Sequence, residues 1–185
     1  MEIKAPPLTV EEYHRLCETG AIAYDARTEL IRGQIYPMIA KGTPHTICCR
    51  NFLKLLPPLL AEDELLQCQD PIRLPNASEP EPDIAIIRTR EDNYSDGHPE
   101  PADIVLLVEV ADSSLAFDRD VKLPLYAEYG IEVVWLVNLQ DDRLEVHQQP
   151  GQSKGKFIYQ NREFYGRGEF VEFGGRAIAI NKILP

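Results

Sequence analysis

The sequence predicts an α/β fold, a mixed central β-sheet flanked by helices, in one domain spanning residues 1–185. Three observations carry that reading. Three short, nearly all-apolar runs of strand length begin at Asp83, Asp103 and Glu132. A helical stretch lies between the second and the third, so those two strands read as parallel central neighbours joined by a crossover. A chain of 185 residues, 44% hydrophobic and 26% charged, is large enough to bury one core without staples.

The elements follow in chain order. Thr9 is a good N-cap with Glu12 three residues on, as in a capping box, so residues 10–17 read as a short helix stopped near Gly20. Residues 29–38 read as two short strands around a turn at Gly33. Thr43-Pro44 opens a second helix, Pro being tolerated in a first turn. Cys48, Phe52, Leu55, Leu56 and Leu59 recur at helical spacing, and Pro57-Pro58 ends or kinks the element. Residues 65–74 alternate like a strand broken at Pro71, and residues 76–82 form a proline-rich acidic loop. The strand at Asp83 and the strand at Asp103 follow, separated by a polar loop. A helix over residues 120–129 comes next, its first turn set close to Lys122 by Pro124 and its end set by Gly130. After the strand at Glu132, residues 143–148, 157–160 and 177–180 read as later strands.

Composition narrows the functional class. The net charge of −11 argues against a protein that coats nucleic acid non-specifically, and leaves room for an enzyme that holds nucleic acid through metal ions. The acid is concentrated: residues 76–120 hold twelve acidic and three basic side chains. A divalent cation would relieve repulsion among any of these that converge. No apolar run reaches the roughly 18 residues that span a bilayer, and the N-terminal residues lack an apolar signal core. The expected setting is therefore cytoplasmic, away from membranes. Cys17, Cys48, Cys49 and Cys68 form no Cys-x-x-Cys pair and are expected to be reduced, partly buried thiols.

Two carboxylates stand out. Asp83 opens an apolar strand directly after Pro82, and Glu109 lies near the end of another. An ionised carboxylate in such a strand is costly unless something pairs with it. If the strands are neighbours, both acids face one pocket. Lys122, at the start of the next helix, reaches the same place when that helix packs back on the sheet. Two carboxylates and a lysine are the parts needed for metal-assisted phosphodiester hydrolysis, and oxygen ligands select Mg²⁺ or Mn²⁺ over zinc. The plainer alternative makes Asp83 a strand-entry residue and Glu109–Lys122 an ordinary ion pair.

Pro82-Asp83 followed by Glu109-Val110 resembles the core of the PD-(D/E)XK nuclease superfamily. In more detail, the chain resembles the Uma2 family, grouped with restriction endonucleases. The matching pieces are Glu29-Leu-Ile-Arg-Gly33, His45 at a helix start, Glu81-Pro-Asp-Ile-Ala, Leu107-Val-Glu-Val, Lys122-Leu-Pro-Leu-Tyr-Ala and Gly130-Ile-Glu-Val-Val-Trp-Leu-Val. They run in family order over residues 9–148. The resemblance implies a restriction-endonuclease-like fold, a Mg²⁺ or Mn²⁺ cofactor and DNA as substrate. It implies Asp83 and Glu109 as metal ligands with the Val110 carbonyl as a third, and a homodimer that cuts both strands. The superfamily's usual lysine position holds Ala111, so Lys122 stands as the substitute, and Asp112 replaces an expected serine. A nuclease-fold protein without turnover, acting as a binding or assembly module, is the competing class.

Other residues carry two readings each. Glu29 is either an outer acidic ligand of the same site or a surface strand residue. His45, in a helix's first turn where backbone N–H groups attract anions, is either a phosphate contact or a half-buried structural histidine. His14, His98 and His147 lack metal-ligand spacing and are expected at the surface. Tyr126, one helical turn beyond Lys122, either holds that lysine or packs in the core, and Trp135 is expected in the core. Ser113-Ser114 has no histidine partner visible in the sequence, and no glycine-rich phosphate loop is present.

Overall fold

A computed structural model describes residues 6–23 and 25–185. The first five residues, part of the segment read above for a signal, lie outside the described residues. Alternating side chains explain the architecture. In β4 (Ile84–Arg88) and β5 (Ile104–Ala111), Ile84, Ile86, Leu106, Val108 and Val110 point to one apolar layer, while Ala85, Ile87, Leu107 and Ala111 point to another. A strand buried on both faces has no polar register, which is why these runs are nearly all apolar. They sit at the centre of a six-stranded sheet ordered β3-β4-β5-β6-β7-β8, with β3 (Glu64–Cys68), β6 (Val133–Asn138), β7 (Arg143–Ser153) and β8 (Lys156–Gly166). The β5–β6 pair is parallel, as the crossover argument expects, and the other pairs are antiparallel.

One layer is covered by α2 (Thr43–Leu55) through Cys48, Cys49 and Phe52, together with the hairpin of β9 (Phe170–Phe173) and β10 (Arg176–Ala179). Trp135 is buried there, between Phe52 and Phe173. The other layer is covered by the helix that follows β5. Helix α1 (Val10–Glu18) has the capping box: Thr9 accepts from the Glu12 N–H at 3.1 Å, and the Glu12 carboxylate accepts from the Thr9 N–H at 2.8 Å. It packs Val10 and Tyr13 on Leu30 of the hairpin formed by β1 (Thr28–Ile31) and β2 (Gln34–Pro37). Arg32 and Gly33 both have positive φ, the mirror-image turn that suits strand twist.

Three expectations change. The helix read from residue 120 begins five residues earlier. It runs as α3 (Leu115–Phe117), a π-helical turn (Asp118–Lys122) and α4 (Leu123–Glu128). Pro124 has no N–H and its ring would crowd the carbonyl four residues back. The widened turn, in which the Leu123 N–H reaches the Asp118 carbonyl, relieves that conflict and lets the helix extend past a proline. The β7–β8 hairpin has 11 residues on each side, longer than the alternation suggests, because Pro150 and Gly151 are held in register opposite Tyr159 and Ile158. Strand β9, absent from the expected elements, is Phe-Val-Glu-Phe, with Val171 buried and Phe173 packed against the same core.

Candidate active site

The pairing of Ile84 with Val108 sets Asp83 across from Glu109 on the face shared with Ala85 and Leu107. Both carboxylates line a cavity of about 460 Å³ at the ends of β4 and β5, together with Glu29, His45, Val110 and Lys122. All six residues singled out in the sequence therefore meet. Lys41, Glu81, Asp112 and Asp118 also line the cavity, and no sequence argument above assigned them to it.

Asp83 is reached from several elements. One oxygen, Oδ2, accepts the Val110 N–H at 2.9 Å and lies 2.9 Å from His45 Nε2. The other, Oδ1, lies 3.3 Å from Lys41 Nζ. Burial pushes the Asp83 carboxyl up. The imidazole's hydrogen bond and charge, the Val110 N–H and Lys41 outweigh it and hold the group below its ordinary range.

Glu109 and Lys122 form the second half. Lys122 Nζ lies 2.9 Å from Glu109 Oε1, 3.3 Å from Glu29 Oε2 and 3.2 Å from the Glu81 carbonyl, so its three donors have three acceptors. Burial lowers the lysine's proton affinity, and Glu109, Glu29 and Asp118 more than restore it, so the ammonium is charged. Tyr126 is fully buried, as the core-packing reading expects, and its hydroxyl donates to Glu109 Oε1 at 2.6 Å rather than holding Lys122. Burial pushes the Glu109 carboxyl up to about 8; Lys122 opposes this and Asp118 and Asp83 add to it. Asp118 is raised by burial first, with Lys122 and the Ser114 hydroxyl at 2.7 Å opposing. That bond is the role of Ser114 here; no nucleophile–base pair involves it.

The charge balance is one-sided. The lining holds six carboxyls (Glu29, Glu81, Asp83, Glu109, Asp112, Asp118) against the ammoniums of Lys41 and Lys122. Burial first, and the neighbouring Asp118 and Asp83 after it, favour a proton on Glu109 when no added cation offsets the surplus. The donors are oxygens and the surplus is negative, so the residues fit a hard divalent cation. The described residues also bring His45, Cys49 and Asp83 together, each with a ligand atom within 4.8 Å of the others. Cys49 follows His45 by four residues on α2, a spacing legible in the sequence and not used above.

The remaining histidines divide. His14 pairs with Glu79 at 2.6 Å on a half-exposed side chain. His147, expected at the surface, is buried: it lies 3.5 Å from Glu145 Oε2 and packs on Tyr159. Its strand is covered by α4 and β8, which local polarity cannot reveal. Cys48 and Cys49 are buried, Cys68 half-buried and Cys17 exposed, all as free thiols.

The six-stranded mixed sheet with helices on both sides is shared with a solved structure. That structure, described as a putative nuclease belonging to DUF820, from Anabaena variabilis ATCC 29413, superposes with a TM-score of 0.65 over 96% of this chain and 97% of that one, at 13% identity. The Uma2 family, described as "Putative restriction endonuclease", matches residues 10–174, and the chain belongs to that family. No curated protein matches. Among the described residues, no helix is long and apolar enough to cross a membrane.

Proposed function

We propose that this protein is a Mg²⁺- or Mn²⁺-dependent endonuclease that hydrolyses DNA phosphodiester bonds. The observation that carries the reading is the cavity's unbalanced set of carboxylates, with Asp83 and Glu109 facing each other at the ends of adjacent strands. Asp83, Glu109 and the Val110 carbonyl would hold the ion, with Glu29 as an outer acidic ligand. A bound divalent cation supplies Lewis acidity and lowers the pKa of a water molecule.

The chain's own groups have distinct tasks in this reading. Tyr126 and Lys122 orient Glu109. The Val110 N–H and His45 fix Asp83. Lys122 offsets negative charge that develops on the attacked phosphate, the role of a preorganised electrostatic group. His45 and Lys41, on the cavity wall, are the contacts offered to a substrate phosphate. A cation between protein and DNA also explains how a chain of net charge −11 would approach a polyanion.

A second reading has one observation in its favour. The Lys122 ammonium is already saturated by three acceptors, as in a structural ion pair. In that reading the protein is a nuclease fold without turnover that serves as a binding or assembly module. Plasmid nicking with Mn²⁺ decides between them: wild type nicks and Asp83→Asn does not, whereas no nicking by wild type across several DNA and RNA substrates rejects the nuclease. We also infer a homodimer, so that two sites cut both strands; sedimentation as a monomer at tens of micromolar rejects it.

A further inference from the structure

We propose a second metal site in the same cavity wall, specific for a borderline cation of the zinc class and formed by His45, Cys49 and Asp83. Zinc bound there withdraws Asp83 from the oxygen-ligand pair and opposes Mg²⁺ or Mn²⁺. The site itself follows from these three side chains. Its regulatory consequence rests on the nuclease reading above.

The geometry of the helix carries the argument. His45 and Cys49 are four residues apart on α2, so their side chains stack on one face. His45 Nδ1 lies 3.6 Å from Cys49 Sγ. A tetrahedral ion about 2.1 Å from a nitrogen and about 2.3 Å from a sulfur separates those donors by about 3.6 Å. The helix thus already presents a zinc bite. Asp83, at β4's entry, now sits on the other ring nitrogen, its Oδ2 2.9 Å from His45 Nε2, and supplies the third donor by turning its carboxylate towards the thiol; one ligand atom from each of the three residues already lies within 4.8 Å of the other two. The fourth position opens on the cavity, since His45 and Asp83 both line it.

Chemistry separates this set from the Asp83–Glu109 pair. A thiolate and an imidazole favour zinc, whereas carboxylates and a carbonyl favour magnesium. Without an ion the Cys49 sulfur holds its proton, burial chief among the causes. Coordination displaces that proton to solvent, so one proton leaves per ion bound. Asp83 belongs to both sets. A dication held on it repels a second one in the same cavity and turns the carboxylate away from Glu109, so zinc weakens magnesium binding.

The test uses Co²⁺ as a spectroscopic stand-in for zinc on the reduced, full-length protein. Wild type is expected to take up one Co²⁺ with a near-ultraviolet sulfur-to-cobalt charge-transfer band, bleached by Zn²⁺. Cys49→Ser, or Cys49→Ala if the serine variant melts early, loses the band. Asp83→Asn weakens Co²⁺ at least tenfold, while Cys68→Ser and Glu109→Gln keep the band. Absence of the band in wild type overturns the site, and so does its persistence without Cys49 or its loss in Cys68→Ser or Glu109→Gln. Failure of the nuclease reading looks different: the band forms and no Mn²⁺-driven nicking occurs. If nicking does occur and saturating Zn²⁺ leaves its rate unchanged, the regulatory part is wrong.

Discussion

The surplus of carboxyls makes metal binding a proton exchange at Glu109, and its size can be worked out. The carboxyl is pushed up to about 8 by burial, against Lys122 and with Asp118 and Asp83. The ionised share then grows from roughly 1% at pH 6 to roughly 9% at pH 7 and to half at pH 8. If only the ionised form binds the cation, Mn²⁺ affinity rises by more than about tenfold between pH 6 and pH 8. The sign in the absence of metal is opposite. A group whose folded pKa lies above its unfolded value of 4.5 contributes stability at low pH that is lost as pH rises towards 8. The metal-free protein should therefore melt progressively lower across that window, and Mn²⁺ should restore it most at the top. Calorimetric titration with Mn²⁺ at pH 6, 7 and 8, in two buffers of different ionisation enthalpy, reads both affinity and protons released. Glu109→Gln should bind weakly and without that pH slope, while His45→Gln keeps the slope. A wild-type affinity that is flat from pH 6 to pH 8, or no proton release at pH 7, refutes the reasoning.

Three more outcomes are expected. Lys122→Met removes the partner of two buried carboxylates, and breaking a buried pair costs about 3–5 kcal/mol, less where Glu109 takes up a proton; the variant should melt lower, recover partly with Mn²⁺, and nick at least about a hundredfold more slowly. Glu145, buried in β7 among Arg143, Asn138 and Arg119, sits at about 2 despite its burial, held there by His147 close beside it and by hydrogen bonds from Asn138 and the two arginines. Its contribution is present above the ordinary carboxylate pKa and lost as pH falls from about 4.5 to 2, about 1–2 kcal/mol after screening by the partly exposed arginines; Glu145→Gln should flatten the acid limb of an unfolding curve, and an unchanged limb counts against it. Gly33→Ala puts a Cβ 2.4 Å from that of Pro7 at a φ of +71°, so the hairpin carrying Glu29 must shift; a loss of more than about 1 kcal/mol in urea is expected, with weaker Mn²⁺ binding, and wild-type behaviour in both contradicts it.

Local rules determined much of this protein. The capping box fixed the first residue of α1, the Arg32-Gly33 turn fixed the first hairpin, and the apolar runs fixed the central strands. The costly acids in two of those runs, with a lysine in the next helix, marked the site, because a charge in an apolar strand demands a partner. Tertiary structure decided what depends on convergence from distant parts of the chain. Lys41 meets Asp83, and Arg119 meets Glu145, only because the sheet and its helices close on one another. His147 is buried by neighbours that its own sequence surroundings do not announce. The helix start at Leu115 was hidden because Pro124 argues locally for a first turn, while the fold accommodates it with a widened one. The high proton affinity of Glu109 likewise has no local signature, for it arises from desolvation and from Asp118 and Asp83, which fields across the folded cavity bring to bear.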